Sequence, residues 1–256
     1  MSAVVPLLRL RGREITRTWR LWLLPAVTVF LAVTSPLLAR FTNDLLAAAL
    51  GPGADGVVLA DPTSADAYAQ WTKNLTQLVV FVVIVMAAGA INSEVRSGHA
   101  ALLLVKPASR SAYVHTHAVA LIGFITVTAF VGAGTGWLTT RAIFGEADLA
   151  PIFAATAVWA VLAAVLVSAS LLASATIDAA AGAAGAGIGA YFVLVILGAI
   201  PWLAEYTPAG LLPLTGAIAT GTQEADHTLW WPIGTGLLLA AALLAMTTSM
   251  FRRREL

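Results

Sequence analysis

The sequence predicts an all-α integral membrane protein with six transmembrane helices, and three observations lead to this fold class. The first is composition: of 256 residues, 59% are hydrophobic and 11% are charged, with a mean hydropathy of +0.88. Soluble domains average about 25% charged residues. The second is a set of six apolar runs, each close to the roughly 20 residues that cross a bilayer as a helix. The third is the distribution of lysine and arginine along the chain.

The six predicted spans belong to a single domain of residues 1–256, because no stretch between them is large enough to bury a core of its own. Their predicted bounds are Leu21–Ala39, Leu75–Ile91, Ala112–Thr140, Pro151–Ala173, Ala179–Leu203 and Leu229–Phe251. The second span is the shortest, and an amphipathic lead-in extends it back toward Ser64. The third is longer than a bilayer requires, which predicts a tilt or a projecting end.

Residues 1–18 precede the first span and mix arginine with leucine. This basic, amphipathic pattern is typical of a helix that lies on an anionic membrane surface. A charged flank that only fixes topology accounts for the same pattern equally well. The residues predicted to anchor this segment at the membrane surface are Arg9, Arg11, Arg13 and Arg17.

Basic residues are distributed very unequally between the two sides of the membrane. With the N-terminus in the cytoplasm, eleven lysines and arginines fall on that side and three on the other, namely Arg40, Lys73 and Arg141. Acidic residues lean the opposite way, with nine outside and four inside. The positive-inside rule therefore predicts a protein of the cell membrane with both termini in the cytoplasm.

Two connections between spans have unusual sequences. Residues 204–228 are apolar but broken by prolines and glycines, which predicts one or two short helices that re-enter the outer leaflet. Such a re-entrant element is tolerated only where protein buries it. Residues 174–178 are so few that the fourth and fifth spans must form a tight hairpin.

The fifth span is rich in glycine and alanine. Small residues four positions apart let helix backbones approach closely. The predicted packing residues are Gly182, Gly185 and Gly189. Ordinary packing within the chain, a helix that moves, and a dimer face all fit this pattern.

The sequence lacks the motifs of several enzyme classes. Its two lysines are followed by Asn74 and Pro107, so no phosphate-binding P-loop can form. The HExxH and GxSxG motifs are also absent, as is cysteine. His115 and His117 are two residues apart and point to different sides of a helix, which favours interfacial histidines over a metal site. We therefore predict no catalytic residue, no metal site and no nucleic-acid partner.

Carboxylates are also missing from the middle of the predicted spans. Glu94 and Asp178 lie at span ends, and the other acidic residues lie in loops or terminal segments. Ion-coupled carriers carry ionisable residues inside the membrane. This pattern argues against an ion-driven carrier and against an intramembrane hydrolase, and it means that energy for transport must come from outside the chain.

Residues 92–111, NSEVRSGHAALLLVKPASRS, form the longest polar connection on the predicted cytoplasmic side. In order, the stretch carries Glu94-x-Arg96-x-Gly98, the apolar run Leu102 to Leu104, and Pro107-x-Ser109-Arg110. This pattern resembles the ABC-2 type transporter permeases, the membrane subunits of type V-like ABC exporters. The resemblance extends to the six spans, the N-terminal interfacial helix, the cytoplasmic termini and the broken element between spans five and six.

The resemblance implies that residues 92–111 form a cytoplasmic coupling helix that contacts a separate ATPase subunit. Family members work as two permease chains, either a homodimer or a pair with a sister permease, with two ATPase subunits that hold ATP and Mg²⁺. This chain would then hold no cofactor and would export a hydrophobic or amphipathic cargo such as a drug, an antibiotic, a peptide or a lipid. The residues implied in ATPase coupling are Glu94, Arg96, Gly98, His99, Leu103, Pro107, Ser109 and Arg110.

The resemblance implies that Glu94 and Arg96 form an ion pair, that the chain bends at Gly98, and that an apolar docking face surrounds Leu103. It further implies that the segment ends at Pro107, that Ser109 caps the next helix, and that Arg110 contacts a phosphate or the partner. His99 departs from the family pattern, in which small polar residues are common at this position. A loop that only sets topology would account for the same residues. A secondary carrier and a non-transporting assembly or sensor subunit are the alternative functions.

Overall fold

The computed structural model describes residues 4–50, 60–104, 109–222 and 227–253. Within these ranges the chain folds into α-helices joined by short turns and contains no β-strand. The α-helices, in chain order, are α1 Val4–Arg17, α2 Arg20–Leu50, α3 Ser64–Asn74, α4 Val80–Ala88, α5 Asn92–Arg96, α6 His99–Leu104, α7 Arg110–Phe144, α8 Leu149–Thr176, α9 Ala180–Gly198, α10 Pro201–Tyr206, α11 Leu211–Thr220 and α12 Trp230–Arg253.

Six of these helical segments in the described ranges are long and apolar enough to cross a membrane, which confirms the six predicted spans. Their bounds are Leu21–Leu46, Ser64–Arg96, Arg110–Phe144, Leu149–Thr176, Ala180–Gly198 and Trp230–Arg253. The second span does begin at Ser64, as its amphipathic lead-in suggests. It joins α3 to α4 through a π-helical turn, Leu75–Val79.

The fifth span is shorter than predicted and ends at Gly198 rather than at Leu203. Ile200 has an extended backbone, with φ −97° and ψ 115°, because the residue before a proline disfavours the helical conformation. Pro201 then occupies the first turn of α10, where its missing N–H is not needed. The apolar run therefore breaks into two helices at this proline.

Helix α8 lies at the centre of the bundle. It packs against α4, α7, α9, α11 and α12, and 61% of its most apolar 18-residue stretch is buried. Its fully buried side chains include Trp159, Leu162 and Leu166. The corresponding stretches of α9 and α12 are only 22% buried, which leaves most of their apolar surface for lipid or for another protein chain.

The connection between spans five and six contains α10, a 3₁₀ turn at Pro208–Gly210, and α11. Helix α11 packs against α8 and α3. Gly210 allows the chain to fold back tightly, since a Cβ atom there would lie 1.8 Å from the Ala204 carbonyl oxygen. The prediction of short helices in this connection is thus confirmed for the described residues.

Both terminal helices meet at one end of the bundle, together with α5, α6 and the first turn of α7. Helix α1 packs along α7 and α2 through a buried stripe of Leu7, Arg11 and Ile15, spaced four residues apart. The end of α12 contacts the first turn of α7 through Phe251. We call this end of the bundle the terminal face and the other end the opposite face.

Candidate functional site

Glu94, on α5, is the centre of a hydrogen-bonded cluster at the terminal face. The two terminal guanidinium nitrogens of Arg11, Nη1 and Nη2, donate to its carboxylate, the second of them across 3.0 Å to Oε2. The Tyr113 hydroxyl donates to Oε2 across 2.6 Å, and His117 Nε2 lies 3.5 Å from the same oxygen. We call Arg11, Glu94, Tyr113 and His117 the polar node. It joins three segments that lie far apart in the sequence.

Arg11 is charged although it is only 2% exposed. Burial lowers the pKa of its guanidinium, but the hydrogen bonds and the negative charge of Glu94 outweigh burial, so its pKa is raised. A second carboxylate, Glu14, accepts from Nη1 at 2.9 Å, and the guanidinium lies 5.1 Å from the centre of the Tyr113 ring. Bidentate ion pairs and cation–π contacts of this kind are strong when they are shielded from water.

The polar node continues into the last turn of α12. The Tyr113 ring stacks on the Phe251 ring, with centroids 5.1 Å apart. Arg110 donates from Nη1 to the carbonyl oxygens of Phe251 and Arg252, at 3.0 Å each. A basic side chain at a helix C-terminus satisfies carbonyls that have no partner within the helix. Helices α1, α5, α7 and α12 are therefore linked through one contiguous set of contacts.

The first residues of α5 are fixed to the end of α8. The Ser174 hydroxyl accepts from the backbone N–H groups of Ile91 and Asn92, at 3.1 and 3.0 Å. These donors have no partner within the helix, so the buried serine acts as a cap supplied by another helix. Helix α5 is therefore bonded to the central helix as well as to α1 and α7.

Gly98 separates α5 from α6 and has φ 75°, in the left-handed region that favours glycine. The chain consequently turns between the two short helices. Farther along, the Ser109 hydroxyl accepts from the backbone N–H of Ala112 at 3.1 Å and caps α7. Pro107, the predicted end of the segment, lies outside the described residues.

A groove of about 930 Å³ lies between α1 and the α5–α6 segment. One wall carries Arg13 and Arg17, and the other carries His99 and Leu103. Leu102 also lines the groove and is 70% exposed. An exposed leucine beside arginines is a surface suited to a protein partner that offers both apolar and acidic groups. We call this groove, with α5 and α6, the terminal groove.

The structure corrects two of the predicted charge contacts. Glu94 pairs with Arg11 rather than with Arg96, which is exposed on the other side of α5. Arg11 in turn is buried, so it does not anchor α1 at a membrane surface. Arg9, Arg13 and Arg17 are exposed. The physical reason is that Arg11 lies with Leu7 and Ile15 on the face of α1 that packs against the bundle.

Within the described part of the chain, α9 packs closely at a glycine other than the three predicted ones, so a moving helix or a dimer face stays a prediction for that stripe. A Cβ atom built at Gly185 or Gly189 would meet nothing within 4 Å in the described part of the chain. At Gly182 it would meet only Ile177 and Ala179, which immediately precede α9. Close helix packing occurs instead at Gly187, where a Cβ atom would lie 2.6 Å from Ser170 Oγ. The stripe of Gly182, Gly185 and Gly189 is exposed.

Comparison with known proteins identifies the family. Residues 12–256 match the family described as ABC-2 family transporter protein. The chain belongs to this family. It is also 23% identical over 260 residues to the uncharacterized transmembrane protein YxlG of Bacillus subtilis (strain 168), in an alignment that covers 100% of this chain and 99% of the relative.

Sequence reasoning did not find the role of Tyr113, His117 or Ser174 in this ABC-2 family protein. One signal was available: a carboxylate at the end of a span is costly unless a cation pairs with it, so Glu94 required a partner. Four arginines in α1 could supply that cation. The alternation of leucine and arginine does not indicate which of the four arginines faces the bundle. The packing of α1 against α7 determines that this residue is Arg11.

Proposed function

We propose that this ABC-2 family protein is the permease subunit of an ATP-driven exporter and that a separate ATPase subunit binds at its terminal groove. The observation that carries the proposal is the position of Glu94. It lies on the short helix next to an exposed apolar and basic surface, and its carboxylate is bonded to α1 and α7. A surface joined in this way to the spanning helices is suited to receiving a mechanical input.

In the proposed cycle, two ATPase subunits close on ATP and Mg²⁺ and displace α5 and α6. The polar node would pass this displacement to α1 and α7, and the Arg110 contacts would pass it to α12. Two permease chains, as a homodimer or with a sister permease, would then change which side of the membrane their shared path faces. The cargo class is hydrophobic or amphipathic, because the spans of this chain are predominantly apolar.

The same proposal assigns the terminal face to the cytoplasm and α10–α11 to the outer leaflet as a re-entrant element. Eleven of the fourteen lysines and arginines lie in the segments of the predicted cytoplasmic side. In that orientation α1 lies at the membrane surface, with Arg9, Arg13 and Arg17 available to anionic headgroups or to the partner.

Charge reversal on α1 tests the binding of the ATPase. Arg13 lines the terminal groove, whereas Arg9 is exposed on the same helix without lining it. We expect Arg13→Glu to reduce co-purification of the co-expressed ATPase about tenfold, since an acidic partner surface would be repelled. Leu102→Ala is expected to reduce it as well, because the docking face loses an exposed apolar contact.

Arg9→Glu is the matched control, because it makes the same charge change one turn away. It is expected to leave the amount of bound ATPase within about twofold, a difference of roughly 0.4 kcal/mol. Equal losses for Arg9→Glu and Arg13→Glu would indicate a nonspecific membrane effect. Full retention of the ATPase by both Arg13→Glu and Leu102→Ala would place the binding surface elsewhere.

Topology is tested separately with reporter fusions after Leu256 and within the connection at 145–148. We expect a reporter that is active only in the cytoplasm to work at the C-terminus and to fail at the connection. The opposite pattern would invert the molecule and remove the terminal groove from reach of a cytoplasmic ATPase.

A further inference from the structure

Lys73 is a cation inside the second span, nine residues after its first residue, Ser64. The indole N–H of nearby Trp71 donates to the Thr156 hydroxyl at 3.2 Å. Thr156 is seven residues into α8, or about 10 Å along a helix about 42 Å long. A hydrocarbon core is about 30 Å thick, so centring α8 in the bilayer puts this level about 4 Å inside the core.

A charged side chain at this depth is costly unless it faces water, a counter-charge or a ligand. Lys73 lines a cavity of about 390 Å³ between α3, the π-helical turn and α11. The polar wall consists of threonines, namely Thr72, Thr76, Thr220 and Thr222. Its apolar wall includes Ala69, Leu212 and Ala217. The cavity is large enough for a headgroup and part of an apolar chain.

The backbone around Lys73 is fixed from three sides. Besides the Trp71 bond to α8, the Asn74 amide donates to Ser35 of α2 at 3.0 Å. The Tyr191 hydroxyl of α9 donates to the Thr76 carbonyl at 2.7 Å, within the π-helical turn. π-Helical turns inside α-helices occur frequently at functional sites. The backbone that carries Lys73 is thus held by bonds to α2, α8 and α9.

We propose that Lys73 and this threonine-lined cavity bind the anionic group, a carboxylate or a phosphate, of an amphipathic molecule whose apolar part lies on the Leu212 and Ala217 wall. This inference rests on the proposed function in one respect only: the proposed function would make the bound molecule the transported cargo. The binding itself is a property of this chain.

Two carboxylates lie near the site but leave Lys73 available. Asp61 and Asp66 line a neighbouring cavity that also touches Lys73. Asp66 accepts from the backbone N–H and the hydroxyl of Thr63, at 2.8 Å each, and thereby caps α3. Asp66 lies about two helical turns from Lys73, in the direction of the opposite face. Within the described ranges, Lys73 forms no ion pair with either carboxylate.

The absence of cysteine from the sequence allows a direct test in the full chain. Thr220→Cys places one thiol in the cavity wall, in protein reconstituted into lipid nanodiscs. Its rate of modification is measured with an anionic and a cationic methanethiosulfonate reagent, in the Lys73, Lys73→Arg and Lys73→Gln backgrounds. We expect the anionic-to-cationic rate ratio to fall about tenfold in Lys73→Gln and to be retained in Lys73→Arg.

Protection by added ligands then identifies the bound chemistry. Dodecyl phosphate is expected to slow modification of the Thr220→Cys thiol in the Lys73 and Lys73→Arg backgrounds but not in Lys73→Gln. Equal protection by inorganic phosphate would assign the cavity to a free anion and overturn the amphiphile assignment. A rate ratio that is the same in all three backgrounds would show that Lys73 is neutralised or directed to the headgroups, and it would overturn the site. No ATPase is present, so this result is independent of the co-purification test.

Discussion

Replacing Glu94 with alanine is expected to destabilise the chain and to abolish stimulation of the partner ATPase by the permease. Arg11 is only 2% exposed, so the variant leaves a buried guanidinium without its bidentate partner. Breaking a buried ion pair from one side costs about 3–5 kcal/mol. Glu14 remains at 2.9 Å from Arg11, so we expect the free energy of unfolding to fall by about 3 kcal/mol. The measurement is thermal unfolding of the purified chain, paired with the ATPase rate of the reconstituted complex.

Glu14→Ala is the matched control, because it removes the other carboxylate that contacts Arg11. The Glu14 side chain is 30% exposed and pairs with Arg11 within the same helix, so the expected cost is below about 1 kcal/mol. Tyr113→Phe should fall between the two, since it removes one hydrogen bond to Glu94 and preserves the ring stack on Phe251. This order of effects follows from the geometry of the polar node alone.

A double variant separates stability from coupling. Replacing a buried ion pair with apolar residues of similar volume is often neutral for stability. Arg11→Met combined with Glu94→Met is therefore expected to regain much of the stability lost in Glu94→Ala, whereas ATPase stimulation stays low because the directional bonds from α5 to α1 are gone. Recovery of both properties would show that Glu94 has only a structural role. Recovery of neither would show that the node also needs its charges to fold.

The number and positions of the spans could be predicted from sequence because hydropathy and length are local properties. The start of the second span at Ser64 and the short helices after Tyr206 likewise follow from amphipathicity and from proline placement. The end of the fifth span was missed because Pro201 breaks an apolar run without changing its composition. The local sequence pattern thus predicts which segments form helices more accurately than it predicts the residues at which those helices end.

The contacts within the candidate site could be predicted only in part. Glu94 was recognised from its motif, but its partner Arg11 lies 83 residues away. The choice among four arginines depends on how α1 turns against α7, which is a tertiary property. In the same way, the glycine spacing of α9 indicated a helix with small residues on one face, but it did not indicate that close packing within the chain occurs at Gly187. Sequence periodicity indicates which residues share one face of a helix, but it does not indicate which neighbouring helix that face contacts.

Adding a methyl group at Gly187 is expected to disrupt the packing of α9 against the bundle. The new Cβ atom would lie 2.6 Å from Ser170 Oγ and 2.7 Å from Ile84 Cγ2. Both neighbours are buried, so neither side chain can move aside freely. Overpacking of this kind costs about 1–3 kcal/mol, which predicts a lower unfolding temperature for Gly187→Ala in detergent.

Gly185→Ala and Gly189→Ala are the matched controls on the same helix, because a Cβ atom at either position meets nothing within 4 Å in the described residues. Alanine in place of glycine at an unstrained helical position stabilises by about 0.4–1 kcal/mol, so their unfolding temperatures should stay level or rise. A loss equal to that of Gly187→Ala would contradict the packing of α9 in this structure.

The larger variants Gly185→Leu and Gly189→Leu extend the experiment to the second permease chain of the proposed function. If that chain packs on the exposed glycine stripe of α9, leucine there blocks close approach of the two helices. The fraction of cross-linked dimer in the membrane should then fall while the unfolding temperature of the single chain is unchanged. If the dimer fraction is unaffected by both variants, the permease pair is formed through another face, and the stripe faces lipid. Gly187 packs against other helices of the same chain, so only substitutions at Gly185 and Gly189 can distinguish these outcomes.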